Sequence, residues 1–482
     1  MSTYTMASPH ADEFINHEEI LETLAYAEEH KGDVELCRRI LEKAHPNVAP
    51  KEEHCTCITH REAAVLLACD DAAINAEIKK LAREIKLAYY GNRIVLFAPL
   101  YLSNYCVNGC KYCPYHAQNR EIPRRKLTQD EIRDEVIALQ DMGHKRLAIE
   151  AGEDPKNNPI DYILESMSTI YSIKHRNGAI RRVNVNIAAT TEAEYRMLKD
   201  AEIGTYILFQ ETYNRARYEE LHPTGPKSDY CWHTEAHDRA MLAGIDDVGL
   251  GVLFGLEGYA YEFCGLIMHA EHLEARFGVG PHTISVPRVK PAMGIDPGTF
   301  DNGIPDDMFE KIVALIRITV PYTGMIISTR ESEAVRAAAL SYGISQISGG
   351  SRTSVGGYTE EDRPHDTEQF DVSDQRTLDE VIDWLMRNGH IPSFCTACYR
   401  AGRTGDRFME FCKSGEIGNY CHPNALMTLS EYLVDYATPA TAERGWHMIE
   451  EELGKIPDAR KRDLCEKNIA AIRRGEARDL RF

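Results

Sequence analysis

The chain has 482 residues, 43% of them hydrophobic, and a formal net charge of −20. That sets a prior of two or three domains with a sizeable core, and argues against nucleic acid as a main partner, since phosphate binding needs a basic face. No run of about 18 apolar residues spans a membrane, the first 20 residues, with Asp12, Glu13, Glu18 and Glu19, lack the charged and apolar regions of a signal peptide, and the fourteen cysteines are therefore expected in a reducing cytoplasm, as free thiols or metal ligands rather than disulfides.

Residues 1–90 read as a helical extension. Thr59-His60-Arg61-Glu62 is a capping box ahead of an apolar run. Ile74, Ile78, Leu81, Ile85 and Tyr89 mark one face at helical spacing, with Gly91 as the stop. His54-Cys55-Thr56-Cys57 lies in a polar connector and reads as a stretch without function rather than a metal site.

From Arg93 the rhythm changes to strand, then helix, repeatedly. The expected strands are Arg93–Leu102, Arg146–Ala151, Arg182–Ala188, Thr205–Gln210, Val248–Phe254, Thr283–Val286, Met325–Ser328 and Gln346–Ile347. The clearest helix opens on a second capping box, Thr128-Gln129-Asp130-Glu131, and runs to Gly143. Eight short buried strands alternating with helices predict an α/β fold, a parallel (β/α)8 TIM-type barrel over residues 91–358, with an open doubly wound sheet as the alternative. Thr359 to Thr367 reads as a polar linker into a mostly helical C-terminal domain, residues 359–482. There Ser373 is expected to cap a helix through Asn388 that carries Leu378, Ile382, Leu385 and Met386 on one side. The basic run Arg460-Lys461-Arg462 alternates with acids and reads as a solvated face.

Chemistry is expected at the carboxyl ends of the barrel strands. Cys106, Cys110 and Cys113, with three and then two residues between them, form a loop directly after the first strand. Soft thiolates suit an iron–sulfur cluster, and three ligands leave one iron of a cubane open to an amine and a carboxylate. Gly152-Glu153 follows the second strand and Glu211 ends the fourth. Arg239 precedes the fifth strand, and its guanidinium fork would suit a carboxylate. Gly249, Gly251 and Gly255 lie in the fifth strand, where absent side chains allow close approach. The seventh strand ends in Ser328-Thr329-Arg330-Glu331, an arginine beside two hydroxyls that is suited to a second carboxylate; the plainer alternative is an Arg330–Glu331 pair. Near the carboxy terminus Cys395, Cys398, Cys412 and Cys421 form a second group. Spacing alone leaves open a closed four-thiolate zinc site or a second cluster on three thiolates.

The first cysteine loop, with the aromatic Tyr112 just before its third cysteine, resembles the radical S-adenosylmethionine (SAM) signature. That loop, the Ser328–Glu331 strand end and the Cys395, Cys398, Cys421 group together resemble the FeFe-hydrogenase maturases of the HydG family, radical SAM tyrosine lyases. Leu221-His222-Pro223-Thr224-Gly225-Pro226-Lys227-Ser228 and the segment from Gly280 to Arg288 are similar as well. The related 2-iminoacetate synthases of thiamine synthesis share the barrel features but lack the terminal trio.

The resemblance implies a 4Fe-4S cluster on Cys106, Cys110 and Cys113 that binds SAM, with Tyr112, Gly152, Glu153, Glu211 and Arg239 around the cofactor and Arg330 with Ser328 on the tyrosine carboxylate. It implies cleavage of L-tyrosine to p-cresol and dehydroglycine. An auxiliary 4Fe-4S cluster on Cys395, Cys398 and Cys421, carrying an additional labile iron (a 5Fe type) bridged by a free cysteine, would turn dehydroglycine into carbon monoxide and cyanide. The labile iron is expected on His282, with His269 and His272 as alternatives. An electron donor such as ferredoxin or flavodoxin and other hydrogenase maturation proteins are the implied partners, with no nucleic acid and no membrane. Because the two centres would lie at opposite ends of the barrel, an internal passage for dehydroglycine is expected.

Overall fold

The computed structural model describes residues 3–49, 58–360 and 368–482. The His54–Cys57 stretch and all of the expected linker but Thr359 and Glu360 lie outside the described residues. All eight expected strands form: β1 (Arg93–Ser103), β2 (Arg146–Ala151), β3 (Arg182–Asn186), β4 (Tyr206–Ile207), β5 (Val248–Gly251), β6 (Thr283–Ser285), β7 (Gly324–Ile327) and β8 (Gln346–Ser348). They pair in chain order, all in parallel, and β8 closes on β1 through Val95↔Gln346, Leu96↔Ile347 and Phe97↔Ser348. The molecule is therefore the closed barrel and not the open sheet. β4 and β5 end earlier than expected, because the chain turns over the barrel mouth; Leu208 and Gln210 still donate to the carbonyls of Gly249 and Gly251.

A ninth strand, β9 (Ile391–Ser393), joins the amino end of β1 in parallel, with Arg93↔Ile391 and Val95↔Ser393. It was not legible in the sequence: it is three residues long and carries Pro392, which has no N–H to donate and is tolerated because β9 pairs with β1 alone. The helix before it, Leu378–Arg387, is capped by Thr377 in a box with Glu380 rather than by Ser373. Ser373 instead straps the end of β7, donating its N–H to Thr329 O and its hydroxyl to Arg330 O. Among the described residues no helix is long and apolar enough to cross a membrane.

Side-chain alternation along β1 separates the two faces of the barrel wall. Ile94, Leu96, Ala98, Leu100 and Leu102 are fully buried against the helices. Arg93, Val95 and Tyr101 line cavities at the two barrel ends, so the odd-numbered set faces the bore. Val95 and Phe97, in the middle of a central strand, are only half-buried, whereas bulky branched side chains fill the bore of an ordinary TIM barrel. A Cβ on Gly249 would fall 2.5 Å from Thr283 Oγ1, and one on Gly251 2.4 Å from the Phe209 ring. The space at Gly249 and Gly251 is thus taken by the neighbouring Thr283 and Phe209 side chains, not left open for the close approach expected there.

The N-terminal helices dock on the helix Tyr259–Phe277 through His60, whose Nδ1 lies 2.7 Å from Glu271 Oε2 and whose Nε2 lies 2.8 Å from Glu19 Oε1. Burial works against the imidazolium, but hydrogen bonds and charge from Glu271 and Glu19 outweigh it and raise the His60 pKa. A raised folded-state value means that this stabilisation is complete below the unfolded value of about 6.5 and is lost as pH rises through the folded one. Hydrogen exchange of the helix His17–Glu29 is expected to quicken on that upward pH passage beyond the intrinsic rate, and His60→Gln is expected to remove the dependence.

Candidate functional site

Two cavities, one at each end of the barrel, gather the cysteines. The carboxyl-end cavity is walled by Cys106, Cys110 and Cys113 from the loop after β1, with Glu150 from β2 and Arg330 after β7 on its far sides. The cysteine loop is braced by the Leu221–Ser228 segment: Gly109 N donates to Thr224 O at 3.0 Å, Lys111 N to Leu221 O at 3.0 Å, and Lys227 N to Asn108 Oδ1 at 3.0 Å. Asn108 in turn donates to Glu153 Oε2 at 2.6 Å. Gly152 is glycine for a packing reason, since a Cβ there would lie 2.4 Å from Tyr105 O. Tyr112 is fixed by a 2.8 Å hydrogen bond between its hydroxyl and His222 Nε2.

The electrostatics favour a ligand that takes thiolates. Burial raises the Cys110 thiol, and burial followed by the neighbouring Cys106 pushes Cys113 up to about 12, so these two thiols deprotonate only against a cation. Lys227, 2.7 Å from Glu211 Oε1, is held charged: burial opposes its charge, but Glu211 and Cys110 outweigh burial. Glu211 sits at φ +70°, the left-handed region, a strained conformation of the kind that collects at functional sites. Burial pushes Glu150 up to about 8, against a hydrogen bond with Asn186 and the charge of Arg330.

The Arg330–Glu331 pair does not form. Glu331 Oε1 accepts from Arg288 Nε at 2.9 Å and its Oε2 lies 3.2 Å from Lys290, while Arg330 stacks over Phe370 at 3.6 Å. Among the described residues no carboxylate lies within ion-pair distance of Arg330. Glu153 and Glu211 line the same cavity. Ser328 and Arg239 do not. Ser328 Oγ accepts from Arg330 N at 3.3 Å. Arg239 is committed elsewhere, donating to Thr190 O and Trp232 O and stacking over Trp232 at 3.7 Å.

The amino-end cavity is walled by Cys395, Cys398 and Cys421, with Cys412 and His282. β9 explains the placement, since Cys395 lies two residues after its end and so stands beside the amino ends of β1 and β2. Burial, then Cys395, pushes Cys398 up to about 11. His282 Nε2 lies 2.8 Å from the Tyr399 hydroxyl and Nδ1 lies 3.4 Å from Asp247 Oδ1. His269 and His272 are turned away from this cavity. His269 meets the Tyr213 hydroxyl at 3.1 Å, and His272 meets Met6 O at 2.7 Å and Asp238 at 2.9 Å.

Among the described residues no three His, Cys, Asp or Glu side chains converge closely enough to hold one metal ion. A zinc ion would need such convergence. A cubane, whose corner irons are separate, needs thiols spread around a space, and the donor chemistry of both trios fits it. Sequence reasoning missed Glu150, Asn186, Tyr399 and Thr396, and singled out Lys227 only as part of the Leu221–Ser228 segment. It also passed over a visible pattern: β1, β2 and β3 each open on an arginine, Arg93, Arg146 and Arg182.

Comparison with known proteins agrees with this geometry. The family model of the radical SAM superfamily matches residues 100–263, and that of the biotin and thiamin synthesis associated domain matches residues 285–391. A crystal structure of HydG, a maturase of the FeFe-hydrogenase, superposes with a TM-score of 0.92 at 52% identity, over 98% of this chain and 100% of that one. HydG from Carboxydothermus hydrogenoformans superposes with a TM-score of 0.81 at 38% identity, over 95% and 99%. The 2-iminoacetate synthase of Salmonella typhimurium is 30% identical over 319 residues, 65% of this chain and 81% of its own length.

Proposed function

The chain belongs to the HydG family of FeFe-hydrogenase maturases, which are radical SAM enzymes, and from that premise we propose that it cleaves L-tyrosine to p-cresol and dehydroglycine and converts dehydroglycine to carbon monoxide and cyanide for hydrogenase maturation. One observation carries this reading: a cysteine trio at each end of one barrel, with Val95 and Phe97 of the strand between them only half-buried. The proposed steps balance without an external oxidant. Tyrosine equals p-cresol plus dehydroglycine, and dehydroglycine equals carbon monoxide, hydrogen cyanide and water.

At the carboxyl end, Cys106, Cys110 and Cys113 would hold a 4Fe-4S cluster, which with SAM supplies a radical able to take a hydrogen atom from the substrate. Arg330, free of any carboxylate partner among the described residues, offers its fork to the tyrosine carboxylate. Burial holds the Glu150 carboxyl well above the usual carboxylate range, which favours its protonated, hydrogen-bond-donating form toward the substrate. Glu211 and Lys227 set a paired charge beside the cysteine loop. At the amino end, Cys395, Cys398 and Cys421 would hold the auxiliary cluster, with His282 for a labile iron, which supplies a metal that can receive small diatomic ligands. An electron donor of the ferredoxin or flavodoxin kind and other maturation proteins would serve it as partners.

The decisive assay is anaerobic incubation of reconstituted, reduced protein with SAM and tyrosine. p-Cresol together with carbon monoxide is the expected result. p-Cresol without carbon monoxide, even with added iron, would make it an iminoacetate synthase, and no 5′-deoxyadenosine at all would remove the radical reading. The bore carries its own prediction. Phe97→Trp is expected to leave p-cresol unchanged and cut carbon monoxide per p-cresol by about tenfold or more, because a close-packed interior does not yield to extra volume. The missing dehydroglycine should appear outside as glyoxylate and ammonium by hydrolysis of its imine. An unchanged product ratio would mean that dehydroglycine travels by another route.

A further inference from the structure

We infer that Arg146 and Thr396 form a docking point for the carboxylate of a two-carbon acid in the amino-end cavity. Arg146 opens β2, is 5% exposed and lines this cavity, as does Thr396, which is 2% exposed. One Arg146 amino group donates to Cys395 O at 3.0 Å. Its Nε–H and the Thr396 hydroxyl are both buried without a hydrogen-bond partner among the described residues. Two unused donors on residues that line one cavity are the number a carboxylate's two oxygens can take, and the planar guanidinium gives such a contact its direction.

Charge points to the same ligand. Among the described residues no carboxylate lies within ion-pair distance of Arg146. The carboxylate of this region, Asp247, is turned to His282 at 3.4 Å and to Gly405 N at 3.2 Å. Arg182 packs its guanidinium on the Tyr399 ring at 3.7 Å, and the guanidinium of Arg146 stands 5.3 Å from the centre of the same ring. Arg93 faces Cys395, Cys412 and Cys398. A buried guanidinium without a counter-ion is costly, and an incoming anion beside Cys395 relieves that cost. This inference rests on the reading of the amino-end cavity as the second centre. It adds the group that holds the small acid there, distinct from Arg330 at the far end.

The test is calorimetric titration of glyoxylate into the reconstituted protein under argon, without reductant, while SAM and tyrosine saturate the carboxyl-end cavity. Glyoxylate is expected to bind and neutral acetaldehyde is not. Arg146→Gln and Thr396→Val are each expected to weaken glyoxylate by about tenfold or more, the loss of one hydrogen bond to a charged group, and to leave SAM binding unchanged. Equal affinity in all three proteins overturns the inference, as does equal binding of acetaldehyde. If Arg146→Gln loses iron, seen by iron and sulfide analysis, Thr396→Val decides, since it keeps the guanidinium. The two readings fail separately. A turnover assay without p-cresol defeats the lyase and leaves the titration standing, whereas p-cresol and carbon monoxide with unaltered glyoxylate binding defeats the docking point alone.

Discussion

Cys395→Ala is expected to abolish carbon monoxide and cyanide while p-cresol formation stays within about twofold, as holds for sites far enough apart to share no partners. The two cysteine trios wall cavities at opposite ends of the strands and have no lining residue in common. Cys395 follows β9 and its carbonyl accepts from Arg146, so its side chain can be shortened without touching the loop after β1. The measurement is p-cresol and carbon monoxide from one anaerobic reaction, with the iron content of the variant alongside. Equal loss of both products would mean that the amino-end trio serves the first reaction too, and the division of labour would be abandoned.

Cys110→Ala is the opposite case and the larger effect. Loss of an outer partner of a metal ligand already costs about 10- to 100-fold, and Cys110 stands in the trio itself. p-Cresol, 5′-deoxyadenosine and carbon monoxide are expected to fall together by more than about 100-fold. The variant should still fold, because the loop is held by backbone hydrogen bonds to Thr224 and Leu221 that do not involve the thiol. Its second cluster should remain visible by electron paramagnetic resonance after reconstitution. Residual deoxyadenosine near the parent rate would show that the cluster is held by other ligands.

The two outcomes also separate this chain from its shorter relatives. About a third of it lies outside the match to the iminoacetate synthase, whereas the HydG structures span nearly all of it. An enzyme that only cleaved tyrosine would have no product to lose on Cys395→Ala.

Much of this was legible along the chain. Strand periodicity located all eight barrel strands, and two helix starts were readable because a capping box is written in four consecutive residues, Thr59–Glu62 and Thr128–Glu131. Local rules failed where a distant partner decides. Ser373 has the composition of a cap, but its hydroxyl is taken by Arg330 O, and Thr377 caps the helix. Arg239 has the chemistry of a carboxylate holder, but its fork is spent on two backbone carbonyls. β9 escaped because three residues with a proline carry no period, and β1 alone makes them a strand.

What the sequence determined by itself was the cysteine trio after the first strand and the barrel that carries it, because ligands on one loop and strands of one period depend on neighbours close in the chain. What only the tertiary structure decided was the gathering of His282, Arg146, Tyr399 and Cys395 around one cavity, and the separation of that cavity from Arg330. Those residues are more than a hundred positions apart in part, and β9 brings them together by pairing with the amino end of β1. Backbone hydrogen bonds between distant segments set that meeting, and no spacing along the chain encodes them.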